Sequence, residues 1–342
     1  MAPSKFRPPG RNGAFPAIPT RLESLAKLAE QCRIFGLSYI VYLGLHSHGL
    51  NPSLLDLQHV TESHYDLLGS VLGSKEIAKE AIVYSYNRYI NGFAAMLNEK
   101  QRQILQVFGQ NLRASVTKDM GLSLQGGSAV VKVTLTPTFT ATGQELQFVP
   151  YLYFLPLLYF NSSRDHHGHG TQTLSTAGGN FVSGANVFGN GNGTAKGGSP
   201  RARVASYKVC WPAEDGGCFD PDILAAFEAA ISDGVDVISV SLGAIPTDFL
   251  NDRLSIGAFH AVQQGIVVVC SAGNSGPAPG SPWMLTVGAS TIDRDFTNFV
   301  VLGNKKRFKG ASLSSKALPV NKFYPLINAV DVKANNVTNR DA

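Results

Sequence analysis

Apolar and polar positions along this chain follow two regular regimes, with a stretch between them that follows neither. Residues 38–45 (SYIVYLGL) make a β-rich run. From Leu54 to Leu72 the apolar residues Leu54, Leu55, Leu57, Val60, Leu67, Leu68, Val71 and Leu72 recur at helical spacing, which predicts an amphipathic helix. The runs 81–87 (AIVYSYN) and 92–98 (GFAAMLN) read as a strand pair around the turn at Tyr89–Gly92. A short helix is expected from Glu99 to Gln106. This β-α-β-β-α order suits a small two-layer α+β domain over 38–106 that lacks its last strand.

The second regime starts at 161. Strands are expected at 202–210 (ARVASYKVC), 235–243 (VDVISVSLG), 265–273 (GIVVVCSAG) and 283–290 (WMLTVGAS). Helices are expected at 222–234, with Asp222 in an acidic first turn and Gly234 as its stop, and at 253–264. Near-continuous apolar strands alternating with helices predict a parallel sheet covered on both faces. Ligands of such sheets sit beyond the carboxyl ends of the strands, so the loops after Ser241 and Ser271 are where chemistry is sought. Residues 107–160 are Thr/Ser/Gly-rich and lead into an apolar run, FVPYLYFLPLLYF at 148–160, without periodicity. They are left as an unassigned insert, and residues 1–37 as an unstructured N-terminal segment.

Composition narrows the field only a little. At 342 residues, 44% hydrophobic and 15% charged, the chain can bury a sizeable core. The formal charge of +5 forms no basic block, so neither nucleic acid nor an anionic membrane is indicated as a partner. The 148–160 run holds two prolines and falls short of a bilayer span, and no apolar signal segment is visible near the N-terminus. The four cysteines, Cys32, Cys210, Cys218 and Cys270, are too few for a disulfide scaffold; Cys210 and Cys218 could pair in an oxidising compartment.

Three short motifs carry chemistry. In DHHGHGTQT (165–173), His169 lies between two glycines at the mouth of an expected helix, where close backbone approach suits an imidazole that moves a proton. A polar surface loop is the bland alternative. A metal site at His166, His167 and His169 matches no usual ligand spacing, and no metal or other cofactor is expected. In SAGNSGP (271–277), Asn274 follows a buried strand and is placed to donate its amide to an oxyanion; by itself the segment is also a common turn. In SVSLGA (239–244), Ser241, Leu242 and Gly243 leave another buried strand where an extended peptide can add.

Taken together, HGHGT, SVSLG and SAGNSGP, in this order, resemble the subtilisin-like serine proteases (subtilases), and above all their plant branch. The blocks 193–211, 222–243 and 265–280 resemble that branch almost throughout, and residues 38–106 are similar to the inhibitory propeptide that precedes its protease domain. The resemblance implies a partial subtilisin-like α/β parallel sheet with flanking helices over 161–342, preceded by a small α+β, ferredoxin-like propeptide domain. It implies peptide-bond hydrolysis through a Ser-His-Asp triad, with His169 as general base and Asn274 in the oxyanion hole. Ser241, Leu242 and Gly243 would line the primary specificity pocket and pair with the substrate backbone. The implied partners are a peptide or protein substrate and the propeptide itself. Secretion to the plant cell wall is the implied location, and sequons at Asn161, Asn192 and Asn336 fit a secreted glycoprotein.

The departures from that pattern are specific. The family's aspartate lies upstream of the histidine at the end of an apolar strand, and the only local candidate is Asp119-Met120-Gly121, after the polar SVTK. Asp165 is too near His169 along the chain for the orienting role. Gln172 stands where plant members usually have a second histidine, and no Gly-Thr-Ser occurs anywhere in the 342 residues. The expectation is thus a truncated, catalytically incompetent subtilase chain. Its rivals are a propeptide-type binding module that inhibits or chaperones a related protease, and an active hydrolase with an unforeseen nucleophile.

Overall fold

The computed structural model of the chain describes residues 37–49, 51–112, 115–118, 129–134, 145–147, 164–165, 167–211, 217–243, 247–274, 276, 280–292, 294–314, 322, 324–325 and 327. The candidate Asp119-Met120-Gly121, the apolar run 148–160, His166, Ala244, Asn161 and Asn336 lie outside these residues. The first elements are β1 (Leu37–Gly44), α1 (Leu54–Leu72), α2 (Lys75–Ala81), β2 (Ile82–Tyr86), β3 (Asn91–Leu97), α3 (Glu99–Leu112) and β4 (Ser115–Lys118). There follow β5 (Ala129–Thr134), β6 (Glu145–Gln147), α4 (His169–Gly178), the strands β7 (Val182–Val187) and β8 (Asn190–Ala195), and β9 (Arg203–Lys208). The chain continues with β10 (Cys210–Trp211), β11 (Gly217–Cys218), α5 (Asp220–Ser232), β12 (Val237–Val240), α6 (Arg253–Gln263), β13 (Val267–Ser271), β14 (Leu285–Val287), β15 (Thr297–Val301) and β16 (Arg307–Ala311). Two compact units result, one of Met1–Gly179 with Gly198–Gly288, the other of Asn180–Gly197 with Ala289–Ala342.

In the first unit β1 to β4 form an antiparallel sheet in the order β2-β3-β1-β4. The expectation that this domain lacks its last strand is corrected here. Ser115–Lys118 pairs with Tyr39–Tyr42 as an edge strand, where a polar run is tolerated because only one neighbour is needed. The helix before it also runs further than expected, to Leu112. Local signals set the ends of α1: Ser53 accepts from the Asp56 amide, the Asp56 carboxylate accepts from the Ser53 amide, and Gly73 closes the helix at φ 93°.

Period-two alternation on β1 and β3 divides their side chains between two cores. Tyr39, Val41, Phe93, Ala95 and Leu97 pack with Leu68, Ala78 and Leu105 of the domain's own helices. The opposite face, Ile40, Tyr42 and Ala94 with Tyr86 and Ile90, packs into the large core built by Ile223, Leu224, Phe227 and Ala258 of α5 and α6. An apolar strand buried on both sides therefore joins the small domain to the larger sheet's helices.

The larger sheet has the order β14-β13-β12-β5-β9-β6. Strands β12, β13 and β14 are parallel, and so are β6 and β9. Part of the unassigned 107–160 stretch thus belongs to this sheet. Ala129–Thr134 lies between β9 and β12 and runs antiparallel to both. Two helices cover one face and meet closely: a Cβ on Gly257 would fall 2.2 Å from the Phe227 ring, so only glycine allows this approach. Their N-termini are tied by a buried Arg253–Asp220 ion pair at 2.5 Å. Cys210 and Cys218, directly opposed on β10 and β11, form a disulfide, and Cys270 is a buried free thiol.

Among the described residues the second unit holds two antiparallel hairpins, β7–β8 and β15–β16, with a Lys309–Asp295 ion pair at 2.7 Å. Asn192 of β8 is exposed there. No described helix is long and apolar enough to cross a membrane.

Candidate active site

His169 is the first residue of α4. Gly168 before it is in the left-handed region at φ 89°, which favours glycine and leaves the N-cap position without a side chain to bond the helix's first amides. Asp165 fills that role from upstream. Its Oδ1 accepts from the Gly168 amide at 2.9 Å and the His167 amide at 3.2 Å, and its Oδ2 accepts from the Thr171 amide at 2.7 Å. Partial burial works to raise the Asp165 pKa, but the Thr171 and Gly168 amides outweigh it, and the carboxyl is held below its ordinary value. At the far end of α4 a Cβ on Gly178 would fall 2.5 Å from Val204 Cγ1, so the helix lies close on the start of β9.

Lys208 closes the other end of β9. Its Nζ donates to the Arg164 carbonyl at 2.7 Å and sits 4.8 Å from the centre of the Trp211 ring. Burial pushes its pKa down, and the charge of Asp165 works against that shift. This contact puts the segment leading into His169 at the carboxyl end of β9.

Ser241, Leu242 and Gly243 follow β12, and Asn274 follows β13. Parallel register sets Val240 beside Cys270, so the two exits leave the sheet side by side. Ser271 Oγ donates to the Leu242 carbonyl at 3.0 Å. A Cβ on Gly243 would fall 3.1 Å from Gly273 Cα and 3.9 Å from the Asn274 nitrogen, while Gly273 turns the chain at φ 71°. Asn274 is exposed, whereas the Leu242 side chain is buried in the main core.

All three motifs reach the carboxyl edge of the parallel strands, His169 beside β9 and the other two beyond β12 and β13. The strand between them runs the other way. Ala129 pairs with Lys208 and Val130 with Val240, so β5 presents its amino end at this edge and its carboxyl end, Thr134, at the opposite one. Among the described residues no group of three or more His, Cys, Asp or Glu is placed to hold a metal ion.

Sequence reading missed a second polar cluster, where the small domain meets α5 and α6. Glu228 Oε1 accepts from the backbone amides of Arg88 at 2.7 Å and Tyr89 at 3.1 Å, and its Oε2 from those of Tyr89 at 3.2 Å and Ile90 at 3.0 Å. Burial pushes its carboxyl pKa up, against these amides, which pull it down. The Tyr84 hydroxyl donates to Asp222 at 2.7 Å, and the Tyr86 hydroxyl to the Pro221 carbonyl at 3.0 Å. Tyr42 and His260 share a hydrogen bond of 3.0 Å, and burial pushes the His260 pKa down to about 4. The sequence cue was three carboxylates, Asp220, Asp222 and Glu228, on an otherwise largely apolar helix.

Two family models match the chain, the subtilase family over residues 158–324 and peptidase inhibitor I9 over residues 38–110. Subtilisin-like protease SBT5.3 of Arabidopsis thaliana is 44% identical over 372 aligned positions, covering 89% of this chain and 48% of the relative. Subtilisin-like protease SBT5.4 of the same plant is 44% identical over 369, covering 89% and 47%. Subtilisin-like protease SBT1.7, also from Arabidopsis thaliana, is 53% identical over 184, covering 52% and 24%. The chain thus spans about half the length of the first two relatives. An I9 domain set ahead of a subtilase domain, with its apolar face and its tyrosines seated on α5 and α6, makes this chain a member of the subtilase family, akin to the subtilisin-like proteases of plants.

Proposed function

We propose that the chain carries the proton-transfer and oxyanion side of a secreted serine endopeptidase, held under its own propeptide, and that these 342 residues alone do not hydrolyse peptides. His169 acts as the general base, Asn274 donates to the oxyanion, and Ser241, Leu242 and Gly243 line the specificity pocket and pair with an extended substrate. The observation that carries this reading is the gathering of all three motifs at one edge of the sheet. Two further observations support inactivity of the chain as it stands: no Gly-Thr-Ser occurs in the sequence, and β5, between β9 and β12, runs antiparallel to both and brings its amino end to that edge. The Cys210–Cys218 disulfide supports an oxidising, extracellular setting.

The test uses the longest natural protein that contains these residues. Peptide hydrolysis there should vanish in His169→Ala and fall about 10²–10³-fold in Asn274→Ala. Hydrolysis that survives in His169→Ala sinks the proposal.

A second reading is favoured by the Glu228 cluster, namely that the ferredoxin-like domain acts as a binding module on the helices of a related protease. A peptide of residues 38–118, which keeps the edge strand β4, should then inhibit a plant subtilisin-like protease at micromolar concentration. A folded peptide without effect at that level removes this reading.

A further inference from the structure

We propose that Asp165 is a positioning residue for His169, a carboxylate clamp that fixes the backbone on both sides of the histidine. This rests on the general-base reading of His169 and extends it to a residue two places outside the HGHGT motif. The four leading amides of a helix have no partner within it, and an N-cap side chain normally takes one of them. Here the cap is Gly168, whose φ of 89° favours glycine and which brings no side chain. Geometry at the turn and capping at the turn are therefore in conflict at residue 168, and Asp165 resolves it from three positions upstream.

The pattern of bonds is what assigns the role. One carboxylate oxygen takes the amides of His167 and Gly168, before the histidine, and the other takes the amide of Thr171, after it. His169 is thus the first helical residue inside a closed loop whose two ends meet on a single side chain. An ordinary cap bonds only forward into the helix. This one also fixes the approach to it, and so sets the direction in which the Cα–Cβ bond of His169 leaves the backbone. A carboxylate also places negative charge at the positive end of α4, where it is favourable.

The other charged groups facing this turn, among the described residues, are Lys208 at the end of β9, together with Arg164 and His167 from the same segment. Lys208 bonds the carbonyl of Arg164, not the clamp itself. It anchors the outer strand of the turn to the sheet, and its charge favours the ionised form of Asp165.

The test reads the seat of the histidine on the 342-residue chain. Hydrogen exchange and carbethoxylation of His169 at pH 7 are compared in wild type, Asp165→Ala and Asp165→Asn. In Asp165→Ala, exchange at Gly168 and Thr171 should rise about 10-fold or more, while exchange in β12 and β13 stays within about twofold. The rate of His169 modification should change at least about threefold, with the other reactive histidines unaffected. Asn keeps an acceptor for Gly168 but offers an NH₂ where Thr171 needs one, so Asp165→Asn should restore protection at Gly168 and not at Thr171. It also serves as the readable variant if Asp165→Ala does not fold. Exchange at the two amides and modification of His169 that are unchanged in a folded variant would overturn the proposal. So would faster exchange spread evenly over the sheet, which marks a purely structural role. None of these readouts depends on hydrolysis. A full-length protein without peptidase activity would therefore remove the functional reading and leave the clamp to be judged by exchange alone.

Discussion

The two edges of the large sheet's unit make an instructive pair. Where the inhibitory domain rests on α5 and α6, nearly every polar group has a partner. Glu228 collects three consecutive amides, Asp222 takes the Tyr84 hydroxyl and the Trp211 indole, and Tyr42 meets His260. At the carboxyl edge the family's motifs are gathered, yet the strand at its centre, β5, runs against its neighbours. The contrast shows that the docking face and the carboxyl edge draw on different parts of the chain. The docking face needs only residues 38–118 and two helices, all present. The proposed catalytic groups come from strands and loops far apart in sequence, so under that proposal a change in the segment before the histidine would alter catalysis and leave docking intact.

That contrast can be broken or sharpened by substitution, beginning with the largest expected effect. Asp220→Asn leaves Arg253 buried beside a neutral partner, and stability should fall by about 3–5 kcal/mol in urea denaturation. A loss below about 1 kcal/mol would mean that α5 and α6 do not depend on this pair. Glu228→Ala strips the acceptor from the amides of residues 88–90, with an expected loss of about 2–3 kcal/mol. Exchange should also quicken at Arg88–Ile90 and not at the carboxyl edge. Equal quickening at both edges would erase the distinction between them.

Acid should act mainly on the docking side. Burial lowers the pKa of His260 and of His46 to about 4, against 6.5 in the open chain. The unfolded state therefore binds more protons between those values. Their contribution to stability is complete above about pH 6.5 and is lost as the pH falls toward about 4. Glu228 opposes this, since burial raises its carboxyl above the ordinary 4.5 and its contribution, complete below that, fades as the pH rises beyond it. The urea midpoint should drop from pH 7 to pH 5, and His260→Gln should flatten the drop. A midpoint insensitive to pH in the native chain would contradict the burial of these imidazoles. Smallest of all is Asn274→Ala: the side chain is exposed, so stability should stay within about 0.5 kcal/mol of the native chain.

Much of this was legible in the sequence, and the reasons for the rest are physical. VDVISVSLG and GIVVVCSAG announced β12 and β13 as near-continuous apolar runs, although burial alternates along both strands and Val267 is exposed. The motifs at His169, Ser241–Gly243 and Asn274 were found because short glycine-rich stretches at a helix start and at strand exits are distinctive. SYIVYLGL was read as a strand, but its second buried face was not, because the helices that cover it lie about 180 residues further along. Ser115–Lys118 was passed over because an edge strand needs no apolar run. Ala129–Thr134 went unrecognised for another reason: its partners, β9 and β12, are non-local, and no nearby turn marks the pairing. Asp165 was weighed only as a triad member and set aside for its closeness to His169, although that closeness is what lets it cap the turn.

The central proposal is that His169 and Asn274 serve proton transfer and the oxyanion, under the chain's own inhibitory domain, and that these 342 residues hold no activated serine. The most direct measurement is labelling of the folded 342-residue protein with a fluorophosphonate probe, before and after release of the inhibitory domain by limited proteolysis. The account predicts no labelled serine in either state. A single serine labelled in the native protein, and not in His169→Ala, would contradict it.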